Sequence, residues 1–155
     1  MNTIANALPS QNVAPEPGLT AEERLLDAIF GKHPTEFQLA EMVERGLPAQ
    51  SVDFLRSEGL TFSEVHDVVL PARTLKHRKE KNQALSVEES DRTLRVARIM
   101  TLADQVFGNR EKALRWLRRE NQRLSRRNPL EMLRSEAGGD LVRQMLYQID
   151  EGIYV

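Results

Sequence analysis

The chain has 155 residues, 40% of them hydrophobic and 29% charged, with a formal net charge of -1 and no cysteine. That length holds one ordinary domain or two small ones, and the missing cysteine excludes disulfide frameworks, thiolate metal sites and thiol nucleophiles. No run approaches the roughly 20 apolar residues that a membrane helix needs, and a near-neutral total argues against indiscriminate coating of nucleic acid.

Residues 1–19 are rich in Asn, Gln, Pro, Ala and Ser, lack periodicity, and are expected to form a flexible tail. They carry neither a basic segment nor a continuous apolar one, so they do not read as a secretory signal, and a cytoplasmic location is expected. From Thr20 the pattern becomes helical, with Leu25, Leu26, Ile29 and Phe30 on one face and Gly31 as the stop. A second helix is expected over Glu36–Arg45, with Leu39, Met42 and Val43 inward, and a third over Gln50–Glu58, with Val52 and Leu55 inward.

Thr61-Phe-Ser-Glu64 is a capping box, in which the hydroxyl and the carboxylate each accept from the other residue's backbone N–H. It opens a helix expected to bury Phe62, Val65, Val68 and Val69. Leu70-Pro71 interrupts that helix, and proline favours a new start at Ala72, running to Lys81. Ser86-Val-Glu-Glu89 is a second capping box and starts the longest helix, to Phe107, with Val96, Met100, Ala103 and Phe107 as one stripe and Ile99, Leu102 and Val106 beside it. Glu88–Arg92 and Asp91–Arg95 have the spacing of favourable helix pairs. A Trp116-bearing helix, a basic loop, a short helix from Asn128-Pro129 to Leu133, and a last helix after Gly138-Gly139 complete the chain. In that last helix Leu141, Val142, Met145, Leu146 and Ile149 are expected inward. Alternating strand patterns are absent, so the fold class is all-α.

Charge is uneven along this frame. Arg73, Lys76, Arg78, Lys79 and Lys81 are opposed locally only by Glu80. With Thr74 and His77, they lie on the second helix of a pair with helix-turn-helix dimensions. Arginine can grip guanine in the major groove, and lysine or threonine can reach phosphates; a solvated basic face is the competing reading. The segment Arg110–Arg127 is more basic still; it suits a nucleic-acid backbone, suits an acidic protein partner at least as well, and a plain solvated surface is the commonest case for such a run. His33, His66 and His77 lack metal-site spacing, and no phosphate-cradling loop or nucleophile elbow occurs, so no metal, cofactor or enzymatic activity is expected. The ending IDEGIYV is apolar at Ile153, Tyr154 and Val155. Either it folds back on the core, or Tyr154 and its neighbours anchor in a partner's pocket.

Several ordered motifs then converge. Arg73-Thr74-Leu75 with Arg78-Lys79, Glu89-Ser90-Asp91-Arg92, Ala113-Leu114-Arg115-Trp116-Leu117, Pro129-Leu130 and Gly152-Ile153-Tyr154 closely resemble the Xre-type antitoxins paired with RES-domain toxins, which carry an Xre/MbcA/ParS-like toxin-binding domain. The resemblance covers roughly Gly59–Val155 and extends more weakly back to Phe30. It departs at LSRRNP, where relatives often carry glycine, at Glu120, where proline is common, and at Val69, where the turn often has glycine.

The resemblance implies an antitoxin that neutralises an NAD-degrading RES toxin by covering its active-site entrance, represses its own operon and self-associates as a homodimer. Carried over residue by residue, Arg73, Thr74, Lys76, His77, Arg78 and Lys79 fall on a recognition helix facing operator DNA. Gln148, Glu151, Gly152, Ile153, Tyr154 and Val155 fall at the toxin. The implied organisation is a tail over 1–19, a helical region with the helix-turn-helix over 20–84, and a helical toxin-binding domain over 85–155. The alternative is a stand-alone transcription regulator whose C-terminal half only dimerises.

Overall fold

Side-chain caps set most of the helix boundaries. Thr20 with Glu23, Thr35 with Gln38, Thr61 with Glu64 and Ser86 with Glu89 each form a reciprocal capping box. They open α1 (Ala21–Phe30), α2 (Glu36–Arg45), α4 (Phe62–Val68) and α6 (Val87–Phe107). Between these lie α3 (Ser51–Ser57) and α5 (Ala72–Glu80). Asn109 caps α7 (Arg110–Arg118), Asn128 caps α8 (Pro129–Met132) and Ser135 caps α9 (Glu136–Asp150). A 3-10 turn occupies Gln122–Leu124. This computed structural model describes residues 18–31 and 33–153. Most of the expected tail, the Phe30 side chain, Tyr154 and Val155 lie outside the described residues. Among those described there is no strand, only an isolated bridge between Asn121 and Arg127, and the chain is all-α as its periodicity indicates.

The long helix α6 is the axis. It contacts α1, α2 and α3, which precede it in the chain, and α7 and α9, which follow it. Val96, Ile99, Met100 and Ala103 are at most 1% exposed. Around them pack Leu25, Leu55, Leu117, Leu133 and Leu146, all fully buried; each large apolar side chain so placed stabilises by about 1.5–3 kcal/mol relative to exposure. Trp116 packs partly buried against this core, its ring centroid 5.8 Å from that of Phe107.

Four local expectations are corrected. The last helix begins before its glycines, because Ser135 caps it by accepting from Gly138 N. The glycines are there for space: a Cβ on Gly138 would lie 1.9 Å from the Met132 carbonyl oxygen, and one on Gly139 would lie 2.7 Å from Arg95 Cδ. Leu141 points outward at 37% exposure, whereas Val142, Met145 and Leu146 are buried as expected. Phe62 is 52% exposed; it stands at the first position of α4, outside the stripe that Val65 and Val68 bury. Arg92 does not pair with Glu88 but donates to the Val69 carbonyl at 3.0 Å, because the open C-terminal end of α4 offers an unpaired acceptor. Asp91–Arg95 does form, and Arg95 also donates to Leu133 O.

Gly138→Ala should destabilise the fold by about 1–3 kcal/mol, the usual cost of an overpacked core site. That corresponds to roughly 2–4 °C per kcal/mol in the melting midpoint, measurable by thermal unfolding.

Candidate functional site

Helix α5 follows α4 after the turn Val69–Pro71, and Leu75 pins it to the core. Val69 has φ -96°, so this turn does not need the glycine often found there. The helical period places Arg73, Lys76 and His77 away from Leu75, and all three are exposed, while Thr74 is half-buried. The remaining expected residues are held by the protein itself. Arg78 is ion-paired with Glu89: its Nη2 donates to Oε1 at 3.0 Å, and its Nε lies 2.7 Å from Oε2. Lys79 is ion-paired with Asp53. The basic run therefore splits into an outward set, Arg73, Lys76 and His77, and an ion-paired set, Arg78 and Lys79, that ties α5 to α6 and α3.

Arginines from the C-terminal half grip α4, the first helix of this pair. Arg118 Nε lies 2.5 Å from Glu64 Oε1, and its Nη2 donates to Gly59 O at 2.9 Å. Arg134 Nε donates to Asp67 O at 2.8 Å, beside the Arg92 bond to Val69 O. The cap of α4 and its last carbonyls are both held from outside, and sequence spacing gives no sign of these contacts.

A second ion network ties α1, α3, α6 and α7. Glu58 accepts from Arg24 Nε at 2.7 Å and from Arg110 Nη1 at 2.9 Å, while Arg110 Nε also reaches Asp104 Oδ1 at 2.7 Å. Burial pushes the Glu58 carboxyl up, but the hydrogen bonds and charges of Arg24 and Arg110 outweigh it and hold the group below the usual carboxylate range. Glu64 behaves likewise: burial opposes, and Arg118 with the Thr61 backbone prevails.

At the other end of the chain, α9 buries Val142, Met145 and Leu146 and turns Leu141, Gln144, Tyr147 and Glu151 outward. Tyr147 is 50% exposed and Ile153 61%. Gly152, at φ 70°, turns the chain off the helix, and Ile153 N returns to Gln148 O at 2.9 Å. Of the residues expected at a toxin, Gln148, Glu151, Gly152 and Ile153 thus share one end of α9. Leu141 and Tyr147 belong to that outward surface and were not singled out from sequence, although the spacing of the buried set opposes them. Among the described residues no His, Asp and Glu group is placed to hold a metal ion, and no helix is long and apolar enough to cross a membrane.

Two family models match this arrangement. An antitoxin Xre-like helix-turn-helix domain matches residues 38–98, and an antitoxin Xre/MbcA/ParS C-terminal toxin-binding domain matches residues 102–152. An antitoxin Xre of Pseudomonas putida is 38% identical over 118 residues, covering 76% of this chain and 74% of the relative. The chain belongs to the Xre antitoxin family. A second relative, an antitoxin Xre of Yersinia enterocolitica, is 29% identical over 86 residues, 55% of this chain and 58% of that protein. This is a family of antitoxins rather than enzymes, and its two domains imply a toxin partner and DNA binding. In this antitoxin the first match ends and the second begins within α6, so both domains draw on one helix.

Both depressed carboxyls give a pH prediction. The stability they contribute is present above the unfolded glutamate value of about 4.3 and is lost as pH falls through the lower folded values. Thermal melting followed from pH 7 down to about pH 3 should show the midpoint dropping across that window, and Glu58→Gln should lower the midpoint at neutral pH while flattening the acid limb.

Proposed function

We propose that this Xre antitoxin neutralises a RES-domain toxin by laying the outward surface of α9 and the chain beyond Gly152 over the toxin's active-site entrance, so that NAD cannot enter. The supporting observation is the surface of Leu141 and Tyr147, large apolar groups left open to solvent within the segment that matches a toxin-binding domain, and of Ile153 immediately after it. Exposed aromatic and aliphatic anchors beside polar Gln148 and Glu151 have the composition of an interface centre with its rim. No reacting group is required, because a lid inhibits by excluding substrate. The toxin-binding match also favours this reading over a stand-alone regulator.

The same protein represses its own operon through α5 in this reading. Arg73, Lys76 and His77 are the exposed candidates for base or phosphate contact, Thr74 flanks them, and Arg78 and Lys79 hold the helix in place. A homodimer would present two such helices to two operator half-sites.

Two outcomes are expected. Deleting Gly152–Val155 should weaken inhibition of the RES-domain toxin by at least about tenfold, a loss of only ~1.4 kcal/mol of docking energy. The melting midpoint should stay put, since Gly152 and Ile153 are exposed; full inhibition by the truncated chain would overturn the lid. Arg73→Glu should weaken operator binding and reduce its salt slope by about 1, read by a filter or gel assay at several salt concentrations. Arg78→Ala should instead lower the melting midpoint, because it leaves Glu89 without its partner.

A further inference from the structure

Most arginines of this chain are neutralised internally. Arg24, Arg78, Arg95, Arg98, Arg110 and Arg118 each hold a carboxylate. The loop between α7 and α8 differs. Arg119 and Arg126 are exposed, and neither has a carboxylate partner among the described residues.

We propose that the loop 119–127 is a second, electrostatic part of the toxin-docking surface, receiving acidic side chains on the rim of the partner protein. The proposal rests on the reading of α9 as the docking helix. Three observations carry it. First, the loop is built. Asn121 N donates to Arg127 O at 3.0 Å, Arg126 N and Leu124 N both donate to Asn121 O at 3.0 Å, and Leu124 is buried beneath. Second, Ser125 and Arg126 both adopt left-handed backbone, at φ 53° and 66°. Glycine would take these positions freely, whereas each larger residue costs about 1–3 kcal/mol unless its surroundings impose it. The loop thus carries a guanidinium at a strained position where stability alone favours glycine. Third, the loop adjoins the docking end of α9. Arg123 Nη1 donates to the side-chain Oε1 of Gln148 at 3.0 Å, and the backbone carbonyl of the same residue accepts from Ile153 N.

The neighbouring charges select the partner class. Glu120 lies within the loop, Glu131 pairs loosely with Arg127 at 3.8 Å, and Asp150 and Glu151 close the adjacent end of α9. A nucleic-acid backbone, continuously negative along its length, would meet those carboxylates as well as the arginines. Discrete carboxylates on a protein rim can reach Arg119 and Arg126 without them.

The test is the association of Arg119→Glu/Arg126→Glu with the RES-domain toxin, by stopped flow at low and high salt. The Gly152–Val155 deletion and duplex-DNA binding are measured in parallel. Rim charges act mainly on association, so the rate should fall about tenfold at low salt, the difference should shrink at high salt, and dissociation should hardly change. Arg126→Gly, which removes one charge and relieves the backbone, should melt no lower than the parent and show part of the rate loss, separating charge from folding. If the association rate and its salt dependence are unaltered while the tail deletion still releases the toxin, the loop proposal fails and the lid stands. If neither variant alters toxin binding, the docking reading itself fails. Lost duplex binding with unchanged toxin association would make the loop a nucleic-acid surface and overturn the proposal.

Discussion

Burial of α6 on most of its circumference is the constraint on which the rest depends. Its 21 residues include Val96, Ile99, Met100 and Ala103 at the centre of the core, and even Ser90 and Thr93 are closed to solvent. A helix buried all round must be covered from several directions. Here α1, α2 and α3 cover it from the N-terminal side of the sequence, and α7 and α9 from the C-terminal side. The helix-turn-helix and toxin-binding regions are therefore not beads on a linker. Separating them would expose the stripe that each needs for its own core, at about 25 cal/mol for every Å² of apolar surface returned to water.

Arginine chemistry completes this frame and then leaves selected surfaces unmatched. Arg118 and Arg134 reach from the toxin-binding region to the cap and the last turn of α4, and Arg78 fixes α5 against α6. Partly buried, multiply bonded guanidinium pairs of this kind orient helices more than they stabilise them, since desolvation offsets much of the attraction. What remains outward is divided by chemistry. The outer face of α5 offers Arg73, Lys76 and His77; the end of α9 offers apolar groups and carboxylates. One body thereby presents two surfaces suited to different partners.

Much of this was legible in the sequence, for identifiable reasons. Capping boxes at Thr61 and Ser86, the proline at 71 and the glycine at 108 act locally, so the starts of α4, α5 and α6 and the end of α6 could be placed from neighbouring residues alone. The start of α9 was misjudged because Gly138 and Gly139 resemble a break, yet their role is to admit the Met132 carbonyl and Arg95, which lie elsewhere in the chain. The uniform appearance of the α5 basic run concealed that Lys79 belongs to Asp53, 26 residues away in sequence, and Arg78 to Glu89. The network of Arg24, Glu58, Arg110 and Asp104 joins elements with no periodic relation, and no spacing rule could have assembled it. Resemblance supplied the end of α9 as the proposed docking site; the outward placement of Leu141 and Tyr147 required the fold.

The central claim is that the toxin covers the end of α9 while α5 stays open for DNA. Amide hydrogen exchange of the antitoxin, alone and saturated with the RES-domain toxin, addresses it directly. The account predicts new protection across the last turns of α9 and the 119–127 loop, with the amides of Ala72–Glu80 little changed. Protection concentrated on Ala72–Glu80, with α9 exchanging as it does in the free chain, would contradict it.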